Sequence, residues 1–243
     1  VYNNSFDVGD DAICIKSGKD VDGRKRGIPT ENLVVFNNIV YHGHGGFTVG
    51  SEMSGGIKNV HVSKCTFIGT DCGLRFKSTR GRGGVVENVY ISDIDMYDIA
   101  AEPIRFNLFY GGQSPILEDD QEAPEIDDTP VPVTEETPSF KDIYMKNIRS
   151  VNSGVAGFFQ GLPEMNLKNV NLDNVYLSGK KGVSIIDADE MSFKDVTVVV
   201  AEGNPFTIYN SHNLTFLGFK VVSGEGKPLS IQGAKTNNLT FLK

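Results

Sequence analysis

Two adjacent carboxylates, Asp10 and Asp11, sit between a glycine and an apolar run in Val8-Gly9-Asp10-Asp11-Ala12-Ile13. Like charges this close raise one another's pKa, which is one way to make a general acid usable near neutral pH. The plain alternative is a solvated turn in which Gly-Asp-Asp supplies only turn chemistry. Other stretches carry groups of matching chemistry. His44 lies in Gly43-His44-Gly45-Gly46, where the flanking glycines let a backbone or a ligand come close, and an imidazole can tune or relay a proton. Arg75 and Lys77 alternate with apolar residues in Leu74-Arg75-Phe76-Lys77; Arg offers a carboxylate a bidentate grip and Lys a point charge. A lone His is more often structural, and isolated charges are more often a solvated strand face. Glu52, in Gly50-Ser51-Glu52, is a weaker candidate for a cleft-facing acid. Tyr110, in Asn107-Leu108-Phe109-Tyr110-Gly111-Gly112, fits an aromatic platform, a hydroxyl donor at a cleft wall, or simple packing. No spacing of acids, Cys or His demands a metal ion, and no cofactor is expected.

These residues are brought together only if the chain repeats, and it does. In Asn88-Val89-Tyr90-Ile91-Ser92-Asp93-Ile94-Asp95-Met96 the apolar residues follow the leading Asn at the first, third, sixth and eighth positions. Asn59 leads a copy with Val60, Val62, Cys65 and Phe67; Asn32 leads Leu33, Val35, Asn38 and Val40; Asp142 and Asn169 lead two more. Asp195 is read as leading a weaker copy, and Asn213 and Asn238 as opening short ones. The leads fall 27 residues apart from Asn32 to Asn59, 29 from there to Asn88, 27 from Asp142 to Asn169 and 26 from there to Asp195. Alternation that changes phase after the third position means two short strands joined by a bend. A fixed period of this size, β-branched strands and frequent Gly and Asn predict an all-β, right-handed parallel β-helix, a single-stranded solenoid. A β-sandwich or a propeller would need two-residue hairpin turns, which are scarce. No segment carries a convincing helical period.

The register then places the chemistry. Val1, Asn4 and Phe6 take the places of Val35, Asn38 and Val40, so the chain starts in mid-coil, with Asn4 and Asn38 expected to form a buried amide ladder. Four residues beyond the eighth position stand Asp10, His44 and Asp71, one per coil; stacked coils are about 4.8 Å apart, so these form a column. The next strand of each coil sends Ile13, Phe47, Leu74 and Phe76 inward and Arg75 and Lys77 outward beside that column, with Lys16 two coils below Lys77. Two further cationic stretches, Lys19 to Arg26 and Arg80 to Arg82, are expected on the same surface. Carboxylates at the centre with cations around them suit a polyanionic substrate.

Composition sets the remaining bounds. The 243 residues, 39% hydrophobic and 22% charged, suit a single domain over 1–243 with a large core. The formal net charge of −8 is concentrated between Gly112 and Pro138, where nine acids meet no Lys or Arg; without them the remainder is +1. That Pro-rich acidic stretch, 112–138, reads as a loop insertion that borders rather than covers an anion site. No basic helix or aromatic motif supports nucleic-acid binding, and no apolar run of 18 residues or leader-like start supports a membrane span or a signal peptide. Cys14, Cys65 and Cys72 cannot all pair; core packing is the expected role of each.

Gly9-Asp10-Asp11, Gly43-His44-Gly45 and Arg75-Phe76-Lys77, in this order at coil-sized gaps, resemble three of the four signature motifs of the polygalacturonase family, pectin-degrading glycoside hydrolase family 28. The resemblance covers about the first 110 residues directly, and the stretch Gly50 to Gly56 is similar to bacterial, often exo-acting members. It implies inverting hydrolysis of α-1,4-galacturonosyl bonds, with Asp10 as general acid, Asp11 as one of two water-activating carboxylates, and His44 supporting the acid. Arg75 and Lys77 would hold a substrate carboxylate, with Tyr110 as a cleft residue. Inversion needs acid and base roughly 6.5–9.5 Å apart. The implied partner is an acidic galacturonan-type poly- or oligosaccharide, and the implied location is extracellular or periplasmic. The fourth motif, Asn-Thr-Asp, is absent; the register puts it on the coil before Val1. The expectation is therefore a C-terminal portion of a longer catalytic domain, poorly active alone and prone to self-association through an open N-terminal edge. Two other readings are a calcium-dependent pectate-lyase-like β-elimination, to which the Asp-Asp, His and Arg-x-Lys set is less suited, and a non-catalytic carbohydrate-binding β-helix.

Overall fold

A computed structural model describes residues 1–110, 129–223 and 228–243; most of the acidic stretch, 112–128, lies outside the described residues. Among the described residues, eighteen strands form one continuous set of parallel ladders, wound as a right-handed parallel β-helix. Each coil contributes three strand segments, and equivalent residues stack in the expected register. Val35 pairs Val62, Val62 pairs Ile91, and Met145 pairs both Ile91 and Leu172.

The recurring Asn and Asp residues explain the coil's shape. The leads Asn32, Asn59, Asn88, Asp142 and Asn169 all have φ between 50° and 56°, in the left-handed region. A second left-handed residue follows five positions later: Asn37, Lys64, Asp93, Asn147 and Asn174. This second residue is the bend that shifts the alternation, and short polar side chains tolerate it best. At the bend the same residues hydrogen-bond between coils: Asn147 donates to Asp93 and Asn174 to Asn147, both at 2.8 Å.

The interior is a set of apolar columns. Phe76 stacks on Phe106 at 4.3 Å and Phe106 on Phe159 at 5.5 Å, all without solvent exposure. Burying each such ring stabilises the fold by about 1.5–3 kcal/mol. The expected amide ladder forms, but only one rung of it is buried: Asn38 Oδ1 accepts from Asn4 Nδ2 at 3.1 Å, while Asn4 itself is exposed.

Three expectations are corrected. Asp195 is not a lead. Val175 pairs Val196 and Leu177 pairs Val198, so Asp195 is the bend residue and Glu190, with φ 56°, leads that coil. The Asp-Val-Thr-Val run fits either half of a coil, which is why the alternation alone misplaced it. Second, a helix forms at Asp20–Arg26. Seven residues with Val21 as their one large apolar side chain cannot display a helical period. The helix is instead stabilised by Asp20 and Asp22 in its first turn and Arg24, Lys25 and Arg26 in its last. Third, Cys14 points outward from the strand Ile13–Ile15, not into the core.

Candidate active site

The third strand segment of each coil carries the candidate residues. It comprises Ile13–Ile15, Gly45–Val49, Cys72–Lys77 and Ile104–Asn107 in successive coils. Their inward residues are core, so the alternate positions are fixed outward. The register places Cys14, Thr48, Arg75 and Arg105 in one outward column. Lys16, Gly50, Lys77 and Asn107 follow two residues later in a second.

Asp10, His44 and Asp71 do form the expected column at the corner before these strands. His44 N–H donates to the Asp10 carbonyl at 3.1 Å, and Cys72 N–H to the His44 carbonyl at 3.0 Å. The His44 ring lies between the two acids, Nδ1 3.1 Å from Asp10 Oδ1 and Nε2 3.9 Å from Asp71 Oδ2. Gly43, with φ 126°, is needed here, because a Cβ would stand 2.8 Å from the Asp10 carbonyl oxygen.

The adjacent acids have different surroundings. Asp10 is 83% exposed and faces His44. Asp11 is turned toward the strand face, 7% exposed, with Oδ1 3.0 Å from Arg75 Nη1 and Oδ2 2.7 Å from Lys77 Nζ. Arg75 lies two coils on from Asp11, and the contact passes through the place where the intervening coil has Gly45. A Cβ at Gly45 would stand 2.8 Å from Asp11 Oδ1. The glycines around His44 thus admit the preceding coil's own carbonyl and carboxylate.

The expectation that the two acids raise one another's pKa is overturned. Asp10 is held below its ordinary value, chiefly by the Asp11 N–H donating to Oδ1 at 2.7 Å and next by His44. Burial pushes Asp11 up, but the hydrogen bond and charge of Lys77, with the charge of Arg75, outweigh it and leave Asp11 lowered as well. The donors and cations beside each carboxylate, not the neighbouring aspartate, set the direction of its shift.

Tyr110 completes the cationic corner. Its ring faces Lys77 Nζ at 5.0 Å and Arg75 Cζ at 5.8 Å, within cation–π range. Asn107 Oδ1 accepts the Phe109 N–H at 2.8 Å and the Ser78 carbonyl accepts the Tyr110 N–H at 3.0 Å, which fixes the turn. Glu52 pairs with Lys16 at 2.9 Å on the same face rather than with the Asp10 column.

Three cations of the two flanking stretches, Arg24, Arg80 and Arg82, are committed to the scaffold. Arg24 donates to the Gly81 carbonyl at 2.7 Å and to Glu136 at 3.0 Å; Arg82 pairs with Asp20 at 2.6 Å, and Arg80 makes a two-point contact with Glu164 at 2.7 and 2.8 Å. They hold the loop after Lys77 in place. Sequence reasoning missed Gly45 as the opening for Asp11, and Cys14, which lies near Asp11 and whose thiol is pushed up first by burial and then by that carboxylate. Laying Asp11 and Cys14 against the next coil, where Gly45 and Thr48 take their places, would have pointed to both. Among the described residues no group of three or more His, Cys, Asp and Glu is arranged to hold a metal ion.

Comparison with known proteins gives these residues a context. The model for Glycosyl hydrolases family 28 matches residues 1–181. The exo-poly-alpha-D-galacturonosidase of Dickeya chrysanthemi is 29% identical over 202 residues, 81% of this chain and 31% of that protein. The polygalacturonase of Ralstonia nicotianae is 30% identical over 188 residues, 73% of this chain and 30% of that protein. This chain therefore spans about a third of the length of these relatives. The crystal structure of a hyperthermoactive exopolygalacturonase from Thermotoga maritima is similar at a TM-score of 0.67 with 30% identity, covering 80% of this chain and 40% of that one.

Proposed function

The chain belongs to glycosyl hydrolases family 28, and from that premise we propose that it acts on α-1,4-galacturonosyl bonds of pectic polymers, by inverting hydrolysis and in exo fashion. The observation that carries this reading is the division of labour between two adjacent acids, Asp10 held by His44 and Asp11 by Arg75 and Lys77.

In this proposal Asp10, exposed and facing solvent, gives its proton to the glycosidic oxygen as the C1–O bond breaks. His44 orients it. A bound polyanion beside Asp10 would raise its lowered pKa toward the range a general acid needs. Asp11, kept ionised by two cations, orients the attacking water and takes up its proton as the new C1–O bond forms. Arg75 and Lys77 hold a uronate carboxylate next to the scissile bond, with Tyr110 stacked against both cations and the Lys16–Glu52 pair bordering the face. The names of the Dickeya and Thermotoga relatives support exo action. Residues 1–243 are taken as one solenoid unit with 112–138 as an insertion, and an extracellular or periplasmic site of action follows from the substrate.

The test is hydrolysis of polygalacturonate, read as new reducing ends without absorbance from an unsaturated product. D10N is expected to abolish turnover and keep affinity for the polymer. Chelator-sensitive unsaturated product would instead mean β-elimination, and binding with no turnover in either protein would mean a non-catalytic carbohydrate binder. Release of monogalacturonate from the outset would support exo action, and a ladder of oligomers would refute it.

A further inference from the structure

Arg105 is the register partner of Arg75, one coil further along the same outward column. Its side chain is more open than that of Arg75, 31% exposed against 16%. Among the described residues its acid partner is Glu102, whose Oε2 accepts from Nη1 at 3.1 Å. Glu102 is itself held, 13% exposed and also accepting from the Cys72 thiol at 3.7 Å. On its other side the Arg105 guanidinium lies 5.8 Å from the Phe158 ring, the next residue of the column. An acid at one edge and an aromatic ring beside it hold the fork, while Nε and Nη2 make no hydrogen bond among the described residues. Arg75 spends its Nη1 in the same way, on Asp11, and is the more buried of the two.

We infer that Arg105 is a specificity-determining residue that recognises a second uronate carboxylate, on a sugar unit neighbouring the one held by Arg75 and Lys77. The inference rests on the galacturonan-directed reading above. Rungs about 4.8 Å apart advance by a step comparable to one pyranose ring. A sugar chain running along the solenoid axis thus brings successive units past successive rungs. A planar fork fixed on two sides accepts a carboxylate in two-point geometry and loses little freedom on binding. It has no such use for a methyl ester.

The 243-residue chain would be titrated calorimetrically with trigalacturonate and with its methyl ester. R105Q is expected to bind the acid about ten-fold more weakly, the loss of one charge-assisted contact, and the ester within two-fold of the unaltered chain. R105K, with charge but no fork, should fall between. Equal losses on acid and ester, or no loss on the acid, overturn the inference. E102Q guards against a purely structural role, because it keeps the guanidinium and removes its acid partner. It should bind the acid as well as the unaltered chain or better, and a loss matching that of R105Q overturns the inference. If the unaltered chain binds neither ligand, the galacturonan reading falls and this inference with it. If the unaltered chain prefers the acid while R105Q keeps the same preference, only the role of Arg105 falls.

Discussion

Lys77 Nζ reaches Asp11 Oδ2 at 2.7 Å across 66 residues of sequence. The contact joins the chemical centre of the face to the strand two coils away, and it makes a carboxylate that is nearly inaccessible depend on two cations. Removing one of them, in K77A, is expected to destabilise the fold by about 1–3 kcal/mol in urea unfolding, with Arg75 retaining part of the interaction. The K77A/D11A pair should lose less than the sum of the single losses, because the second change removes the acid that the first left under-compensated.

Gly45 can be tested by adding one carbon. A Cβ there would stand 2.8 Å from Asp11 Oδ1, with Thr48 Oγ1 closer still. G45A is expected to displace the Asp11 carboxylate and lower kcat at least ten-fold, while costing about 1–3 kcal/mol in stability. Unchanged turnover on polygalacturonate would show that the position of Asp11 does not limit the reaction.

The lowered pKa of Asp11 fixes the sign of a pH effect. An aspartate whose folded pKa lies below its unfolded value contributes stability above the unfolded value, about 3.9, and loses it as pH falls through the folded one. Urea midpoints should thus be insensitive to this group from about pH 5 to 7 and decline below about pH 4. In D11N that acid decline should be shallower. An identical decline in both proteins would assign it to other carboxylates.

Arg24 tests the scaffold behind the site. It is 10% exposed and ties the helix Asp20–Arg26 to the Gly81 and Arg82 carbonyls and to Glu136. R24A should free the loop after Lys77, speeding tryptic cleavage at Arg80 and Arg82 by about ten-fold or more, an opening cost near 1.4 kcal/mol. Equal cleavage rates would show that the Arg82–Asp20 and Arg80–Glu164 pairs hold the loop alone.

The solenoid was legible because its signals are backbone rules written in residue type. Asn and Asp recur where the chain must be left-handed, and apolar residues recur where side chains must enter the core, so the register of Val35, Val62 and Ile91 could be laid out directly. The column of Asp10, His44 and Asp71 followed from that register. What stayed hidden depends on side-chain partners. Arg24, Arg80 and Arg82 looked like a cationic border, yet each is taken by an acid far away in sequence. The pKa directions of Asp10 and Asp11 reversed for the same reason, since the donors that set them lie in a neighbouring amide or in other coils. Asp195 was misread because a short Val-x-Val alternation cannot say which half of a coil it belongs to.

The wide sequence gap between Asp11 and its cations also sets an order of events during synthesis. At roughly 5–20 residues per second, on the order of several seconds separate the emergence of Asp11 from that of Lys77. Until then Asp11 lacks at least one of the two cations that hold it in the folded coil. The face acquires its final charge balance when the coil carrying Arg75 and Lys77 closes over Gly45. A nascent chain would therefore gain both ion pairs of Asp11 in a single winding step.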